Sequence, residues 1–215
     1  MNRRTYLAGV GSCGFVGLAG CLDIVTGDQP LTFEAEPIIV GDTILAETGY
    51  ELDEQNAVVI ERAFSVAGES RQVVVTNHQS EYEKVIDLGP LGRQRGAVFT
   101  ALSTPQVSVM GREFNPVADM STVEIAEMVQ DQYDEIRSVH HIEDRDITIY
   151  GESTLQSEFR ACSRFAGTTM DIYLHVGEAV PIGDDLVITI GGYPQITADE
   201  EADIIRMMEG VEPAD

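Results

Sequence analysis

The second half of the chain consists of strand-like segments separated by very short turns, and this pattern limits the possible folds more than any other. Segments of alternating apolar and polar character occur at 141–150, 153–166, 170–180 and 186–193. The intervals between them are two to five residues long and contain glycine, proline or acidic residues. Connections this short join neighbouring antiparallel strands, since parallel strands need a longer crossover. The pattern therefore predicts an antiparallel meander.

The first half of the chain carries a longer hairpin signal. Segments 56–67 and 72–88 alternate in character around a Gly-Glu-Ser turn, which predicts two long antiparallel strands. One face of the second strand is polar in its middle, where Gln79 and Glu81 lie between valines, and this indicates exposure or a bulge. A second hairpin is expected across Ser-Thr-Pro at 103–105.

Helices are predicted at three places. A short helix is expected at 42–46, and capping boxes open longer helices at 121–139 and 197–210. The spacing of apolar residues assigns the core-facing side of the two longer helices to Ile125, Val129, Tyr133, Ile136, Ile204, Ile205, Met208 and Val211. The predicted fold class is α+β, an antiparallel β-sheet of several strands with two main helices packed on it, forming a single domain at 31–212.

Charge limits the possible partners. Thirteen basic residues oppose 37 acidic ones, a net charge of −24, in a chain of ordinary globular composition with 43% apolar residues. Such a field repels phosphate backbones, which argues against nucleic acid as a partner. The simplest role of the excess acid is solvation in concentrated salt, where a Debye length of about 3 Å screens the self-repulsion. The composition is typical of an extremely halophilic, archaeal protein.

The amino-terminal segment differs from the rest. Residues 1–20 contain Arg3 and Arg4, no acid, and a run of apolar and small residues at 8–20. This arrangement predicts a signal peptide, and the paired arginines indicate twin-arginine export. An uncleaved membrane anchor is the alternative, but the apolar stretch at 6–22 is short for a spanning helix and rich in glycine.

The sequence Leu-Ala-Gly-Cys at 18–21 resembles the lipobox of exported lipoproteins. That resemblance implies cleavage before Cys21, a lipid on its sulfur and a short tether at 21–30. Cys13 would leave with the signal peptide, so Cys162 would be the one thiol without a lipid and no internal disulfide could form. Cys162 is interpreted as a partly buried, unreactive strand residue.

Histidines and acids supply the candidates for chemistry. The segment 140–146 has the composition of a metal site, but adjacent histidines on a strand point to opposite faces, so a solvated junction explains it better. The Asp-Asp pair at 184–185 is interpreted as turn chemistry. No metal ligand set and no cofactor is predicted. His78, His141 and His175 with nearby carboxylates remain the residues that an exported metal-dependent or hydrolytic enzyme would use.

The basic residues concentrate in one segment. Lys84, Arg93 and Arg95 lie within twelve residues of one another, beside the glycine-rich stretch 89–96. In so acidic a chain this segment is the candidate partner-binding site for a protein or a small anionic ligand. The alternative is that these cations only pair with acids of the same hairpin.

Two resemblances extend over most of the chain. The order of strands, long helix, strands and final helix resembles the PsbP-like fold, a scaffold of exported binding proteins. The chain also resembles a haloarchaeal family of twin-arginine-exported lipoproteins that has no assigned activity. The segments that carry this second resemblance are 82–84, 87–92, 102–107, 114–121, 173–176, 183–185 and 193–194.

The sequence predicts a lipid-anchored protein on the extracellular face of the cell membrane. Its expected role is that of a non-enzymatic ligand-binding or assembly module, attached to the membrane through a lipid on Cys21. An exported enzyme is the alternative, and a purely structural envelope component is not distinguished from a binding module by sequence.

Overall fold

The computed structural model describes residues 30–66, 69–109, 112–113, 115–132, 136–165, 168–197 and 199–214. Within these ranges the chain forms three α-helices, α1 (Asp42–Thr48), α2 (Thr122–Gln132) and α3 (Glu200–Glu209). Its strands are β1 (Leu31–Glu34), β2 (Ile38–Val40), β3 (Glu51–Val66), β4 (Glu69–Asp87), β5 (Arg93–Pro105), β6 (Ser108–Val109), β7 (Arg112–Glu113), β8 (Arg137–Ile149), β9 (Glu152–Phe165), β10 (Thr168–Gly177), β11 (Val180–Ile182), β12 (Asp185–Pro194) and β13 (Val211–Pro213).

One large sheet organises the described part of the chain. Strands β3, β4, β5, β12, β10, β9 and β8 lie side by side in that order and are antiparallel to their neighbours, while β11 pairs with β12. The long hairpin β3–β4 and the meander β8–β9–β10 are confirmed, because short turns leave no alternative to antiparallel pairing. The α+β class is confirmed as well.

Four details differ from the sequence-based expectations. Strand β1 runs parallel to β4, because α1 and β3 intervene between them and supply a crossover. The hairpin predicted at 103–105 is wrong, because β5 continues through these residues in an unbroken pairing with β12. Helix α2 is described as far as Gln132 and does not reach Val139, since the chain has entered β8 by Arg137. Helix α3 starts three residues after Thr197, which lies in a single 3₁₀ turn.

Other elements pack on both faces of the sheet. Helices α1 and α3, with β2 and β13, pack on one face, called here the α3 face. Its core includes Tyr82, Phe99, Tyr193, Ile204, Met207 and Met208. On the opposite face, called here the α2 face, α2 packs over β8, β9 and β10. The core on that face includes Val117, Ile125, Ala126, Phe159, Leu174, Val176, Leu186 and Ile188. No helix in the described ranges has the length and apolar character to cross a bilayer.

Candidate functional site

A groove of about 390 Å³ opens on the α2 face. Its floor is formed by β5, β12, β10 and β9, and one wall is formed by the carboxyl-terminal half of α2. The lining is mostly apolar and includes Val98, Leu102, Met128, Val129, Ile172, Leu174 and Ile190. A concave and largely apolar site of this size is typical of a small-molecule binding site.

The groove exists because α2 covers only part of its face. The helix packs mainly on β8, β9 and β10, and no helix of the described ranges packs closely on β5 at this face. As a result Val98 is 47% exposed, although it belongs to a strand in the middle of the sheet. Alternation along β5 directs Phe99 into the opposite core, where it is fully buried. The same strand therefore contributes to the core on one face and to the groove on the other.

The β4 margin of the groove is acidic. Gln79 and Glu81 line it, and the Gln79 side-chain amide donates a hydrogen bond of 2.6 Å to Oε1 of Glu81. Burial raises the pKa of Glu81, and the charges of Glu54, Asp53 and Glu83 raise it further. The polar middle of β4 that the sequence shows is therefore the margin of a groove. A bulge also occurs in this strand, between Lys84 and Val85.

A buried polar network lies on the α3 face. The His175 ring is fully buried and stacks on the Tyr193 ring at a centroid distance of 5.5 Å. Nδ1 of His175 lies 3.1 Å from Nε2 of Gln156, and its Nε2 lies 3.2 Å from Oη of Tyr193. Since an amide nitrogen donates, Nδ1 is the acceptor and Nε2 carries the ring proton. Burial, reinforced by Arg145, lowers the pKa of His175 to about 4, so this histidine is neutral at pH 7.

Three carboxylates lie above this network. Oxygen atoms of Glu143, Glu158 and Glu201 are all within 4.8 Å of one another. The Arg145 guanidinium donates to Glu143 at 3.0 Å and to Glu201 at 2.5 Å, so it links β8 to α3. Burial raises the pKa of Glu158, as do its two acidic neighbours. Arg145 is therefore the counter-ion of this cluster.

The predicted basic site is not one surface. The Lys84 ammonium lies 2.8 Å from a Glu200 oxygen and 2.7 Å from an Asp203 oxygen, and it lies over the Tyr50 ring. Burial lowers the pKa of Lys84, but its hydrogen bonds to Asp203 and Glu200 outweigh burial and raise it overall. Lys84 therefore joins β4 to the first turn of α3.

The two arginines of that prediction lie elsewhere. Arg95 forms an ion pair with Asp53 at 2.9 Å and a second with Glu83. Successive residues of a strand point to opposite faces, so Glu83 and its partner Arg95 lie on the face opposite Lys84. Arg93 is exposed at the start of β5, opposite Asp87. The sequence left open that these cations pair only with acids of the same hairpin. Arg95 fits that alternative, because its partner Glu83 lies on the neighbouring strand β4.

The three histidines proposed for an enzyme lie far apart. His78 is on β4, 3.5 Å from Glu34, whereas His141 is on the opposite edge strand β8, 2.6 Å from Asp144. His175 is enclosed on β10, between these two strands. The structure therefore brings no two of these side chains into one site.

Two smaller interpretations fit the structure. Cys162 is half-buried, and its thiol donates to Asp171 at 3.4 Å, which raises the pKa of Cys162. A raised pKa disfavours the reactive thiolate. Asp185 accepts a 2.7 Å hydrogen bond from the Glu36 backbone N–H, so it has a structural role beside its turn. The predicted signal residues Arg3 and Arg4, the lipidation site Cys21 and most of the tether at 21–30 lie outside the described residues.

The described residues form an α+β sheet protein with a largely apolar groove on the α2 face. By sequence, residues 37–212 match the model of the family described as Domain of unknown function (DUF6517), and the chain belongs to that family. None of the curated proteins is significantly similar in sequence.

Two solved structures are distantly similar. One is cyanobacterial PsbP (CyanoP) from Synechocystis, with 13% identity, a TM-score of 0.41 and coverage of 95% of this chain and 99% of that chain. The other is PA94, a protein of unknown function from Pseudomonas aeruginosa, with 11% identity, a TM-score of 0.36 and coverage of 72% and 98%.

Proposed function

We propose that this protein is an exported, lipid-anchored, non-enzymatic binding module, and that the groove on the α2 face is its ligand site. The groove is the observation that carries the proposal. Exposed apolar concavities usually mark binding sites, whereas a purely structural domain gains nothing from leaving apolar surface exposed to water. Within this proposal the protein belongs to a haloarchaeal lipoprotein group with a PsbP-like scaffold, and it works on the extracellular face of the cell membrane.

The groove is tested with a neutral apolar dye such as Nile red. Val98 and Val85 form a matched pair, since they are 47% and 48% exposed on neighbouring strands and only Val98 lines the groove. We expect Val98→Gln to weaken dye binding about tenfold and Val85→Gln to leave it unchanged. Equal effects of the two substitutions, or no dye binding by the unmodified protein, would contradict the proposed site.

A second variant fills the groove. A Cβ atom added at Gly192 would lie 3.8 Å from Leu174 Cδ1 and 3.8 Å from Val98 Cγ2, which is ordinary van der Waals contact. Gly192→Leu should therefore occupy the floor without displacing the backbone. We expect it to abolish dye binding while the circular dichroism spectrum stays unchanged. Full dye affinity in this variant would place the dye elsewhere on the protein.

The membrane anchor is tested in the full-length precursor. Cys21→Ser should remove the lipid, so that the protein appears in the medium or as an uncut precursor, whereas Cys13→Ser is the matched control and should change neither mass nor retention. Arg3→Lys with Arg4→Lys should leave the precursor inside the cell, because the paired guanidinium groups are what the export receptor recognises. A Cys21→Ser protein with unchanged mass and retention contradicts the lipid anchor.

Adaptation to high salt is supported by charge. Without residues 1–20 the chain would carry eleven basic and 37 acidic residues, a net charge of −26. Dilution from molar salt to 0.1 M lengthens the Debye length from about 3 Å to about 10 Å and restores the repulsion. We expect cooperative loss of circular dichroism on dilution and recovery on adding KCl. A thermal midpoint that stays constant from 0.1 to 3 M salt would refute this part.

A further inference from the structure

We propose that the groove binds an amphipathic cation, a molecule with an apolar body and one positively charged amine, and that Glu81 binds the amine. This inference rests on the groove being the ligand site, as proposed above. It adds the chemical class of the ligand and the residue that selects it.

The apolar body is specified by the floor of the groove. Leu102, Leu174 and Ile190 come from three adjacent strands, β5, β10 and β12, and are partly or fully buried. Met128 lines the wall formed by α2, and its flexible side chain adapts to ligands of different shape. These residues offer dispersion contacts and few hydrogen bonds, so they favour a hydrocarbon or ring system over a sugar or a peptide backbone.

The amine is specified by Glu81, the one carboxylate among the described residues that line the groove. Glu81 is half-buried, and its side chain accepts a hydrogen bond from the Gln79 amide. Among the side chains that the structure describes, none of the cationic groups forms an ion pair with Glu81. Glu81 therefore concentrates negative charge at the edge of an apolar surface, where an ammonium group would stabilise it.

The neighbouring acids do not compete for that amine on equal terms. Asp53 and Glu83 both form ion pairs with Arg95, and Glu54, which is paired with Glu81 across β3 and β4, does not line the groove. Burial raises the pKa of Glu81, and the charges of Glu54, Asp53 and Glu83 raise it further because they add negative potential at this side chain. The margin therefore has a surplus of negative charge that is centred on Glu81.

An anionic ligand is the opposite choice, and two observations disfavour it. Arg164 lines the opposite margin of the groove, but its side chain already has an interaction partner within the protein. The acidic margin around Glu81 also repels an anionic head group at short range, where salt screens least. A cationic head group is attracted at the same short range.

The experiment compares three probes of equal chain length, decylammonium, decanol and decyl sulfate, below their aggregation concentrations. Binding is measured by calorimetry with the full chain, at a salt concentration where circular dichroism shows the folded state. We expect the dissociation constant to be about tenfold lower for decylammonium than for decanol, since a partly buried charge-assisted hydrogen bond adds this much affinity. Decyl sulfate should bind most weakly.

Two matched variants assign the preference to one carboxylate. Glu81→Gln keeps the shape and the contact with Gln79 but removes the charge, so decylammonium and decanol should bind about equally. Glu83→Gln, two residues along the same strand face, removes a carboxylate that does not line the groove and should keep most of the preference. Circular dichroism of both variants confirms that they are folded.

The outcomes separate this inference from the proposed ligand site. Binding of decanol and decylammonium with equal affinity, or a preference that survives Glu81→Gln, overturns the cation assignment and leaves the groove intact. Tighter binding of decyl sulfate also overturns it and assigns the head group to the Arg164 margin. If none of the probes binds, or if Gly192→Leu binds them all as well as the unmodified protein, the groove itself is not the site.

Discussion

The two faces of the central sheet are formed by alternate residues of the same strands, yet one is closed and the other is partly open. On the α3 face, Tyr193, Ile204 and Met208 are almost fully buried, and Lys84 forms ion pairs with α3. On the α2 face, Val98 lines the groove and is about half exposed. The comparison indicates that the larger part of the buried core lies on the first face, whereas the second face leaves some apolar surface exposed.

The contrast is sharpest at two adjacent glycines of β12. A Cβ atom on Gly191 would lie 2.6 Å from Ile204 Cγ2, a distance that packed side chains do not tolerate. A Cβ atom on Gly192 would have no neighbour closer than 3.7 Å. Gly191 therefore packs tightly against helix α3, whereas the next residue, Gly192, lies on the floor of the groove and has space around it.

The largest expected effect concerns Lys84. Replacing Lys84 by alanine leaves Glu200 and Asp203, both largely buried, without their cation, and we expect a loss of about 3 kcal/mol in the free energy of unfolding. Arg95→Ala removes a more exposed cation from the opposite face and should cost at most about 1 kcal/mol. Denaturant unfolding measures both. Equal losses would show that the two faces do not differ in this way.

The glycine pair gives the next largest effect. Gly191→Ala should destabilise the protein by about 2 kcal/mol, because Ile204 or the helix that carries it must move. Gly192→Ala should change the free energy of unfolding by less than about 0.5 kcal/mol. Thermal unfolding of the two single variants tests this, and a larger loss for Gly192→Ala would reverse the assignment of the faces.

The sequence predicted the strands of the sheet better than the helices that pack on its two faces. Short turns determine the hairpin β3–β4 and the meander β8–β10, because few connections fit so few residues. Helix ends were predicted less well. The capping box at Thr197 is replaced by a 3₁₀ turn in which the Thr197 hydroxyl donates to the Pro194 carbonyl, and α3 starts later.

The groove was not predictable, because it depends on how far α2 extends over the sheet. The core-facing positions Ile125 and Val129 were predicted correctly and are buried. Nothing in the helix sequence shows that β5 remains uncovered. The one available signal was the polar middle of β4, where Glu81 interrupts an apolar face. Lys84 and Arg95 are close in sequence but contact partners on opposite faces of the sheet, because the side chains of a strand alternate between its faces.

A smaller effect is expected at the link between β8 and α3. Arg145→Met removes the counter-ion of Glu143 and Glu201 and leaves three carboxylates close together, so we expect a loss of about 1 kcal/mol. Adding Glu143→Gln should recover part of this loss, because one repulsive charge is removed. Additive losses in the double variant would show that the acidic cluster is already screened by solvent.

The smallest effects come from two single carboxylates whose pKa values shift in opposite directions. Burial and nearby acids raise the pKa of Glu81 in the folded state, so its stabilising contribution is present at low pH and is lost as the pH rises through that pKa. Glu81→Gln should therefore raise the melting temperature slightly at pH 7. The difference should vanish in acid, where Glu81 of the unmodified protein is protonated.

Asp144 on β8 provides the opposite case. Hydrogen bonds from Ser157 and His141 lower the pKa of Asp144 in the folded state, so its contribution is present at neutral pH and is lost as the pH falls through that pKa. Asp144→Asn should lower the melting temperature slightly at pH 7, and the difference should shrink in acid. Calorimetric scans from pH 7 to pH 3 compare the two variants. If Glu81→Gln lowers the melting temperature at pH 7, as Asp144→Asn is expected to do, the negative charge at the groove margin is not a destabilising feature that a cationic ligand would neutralise.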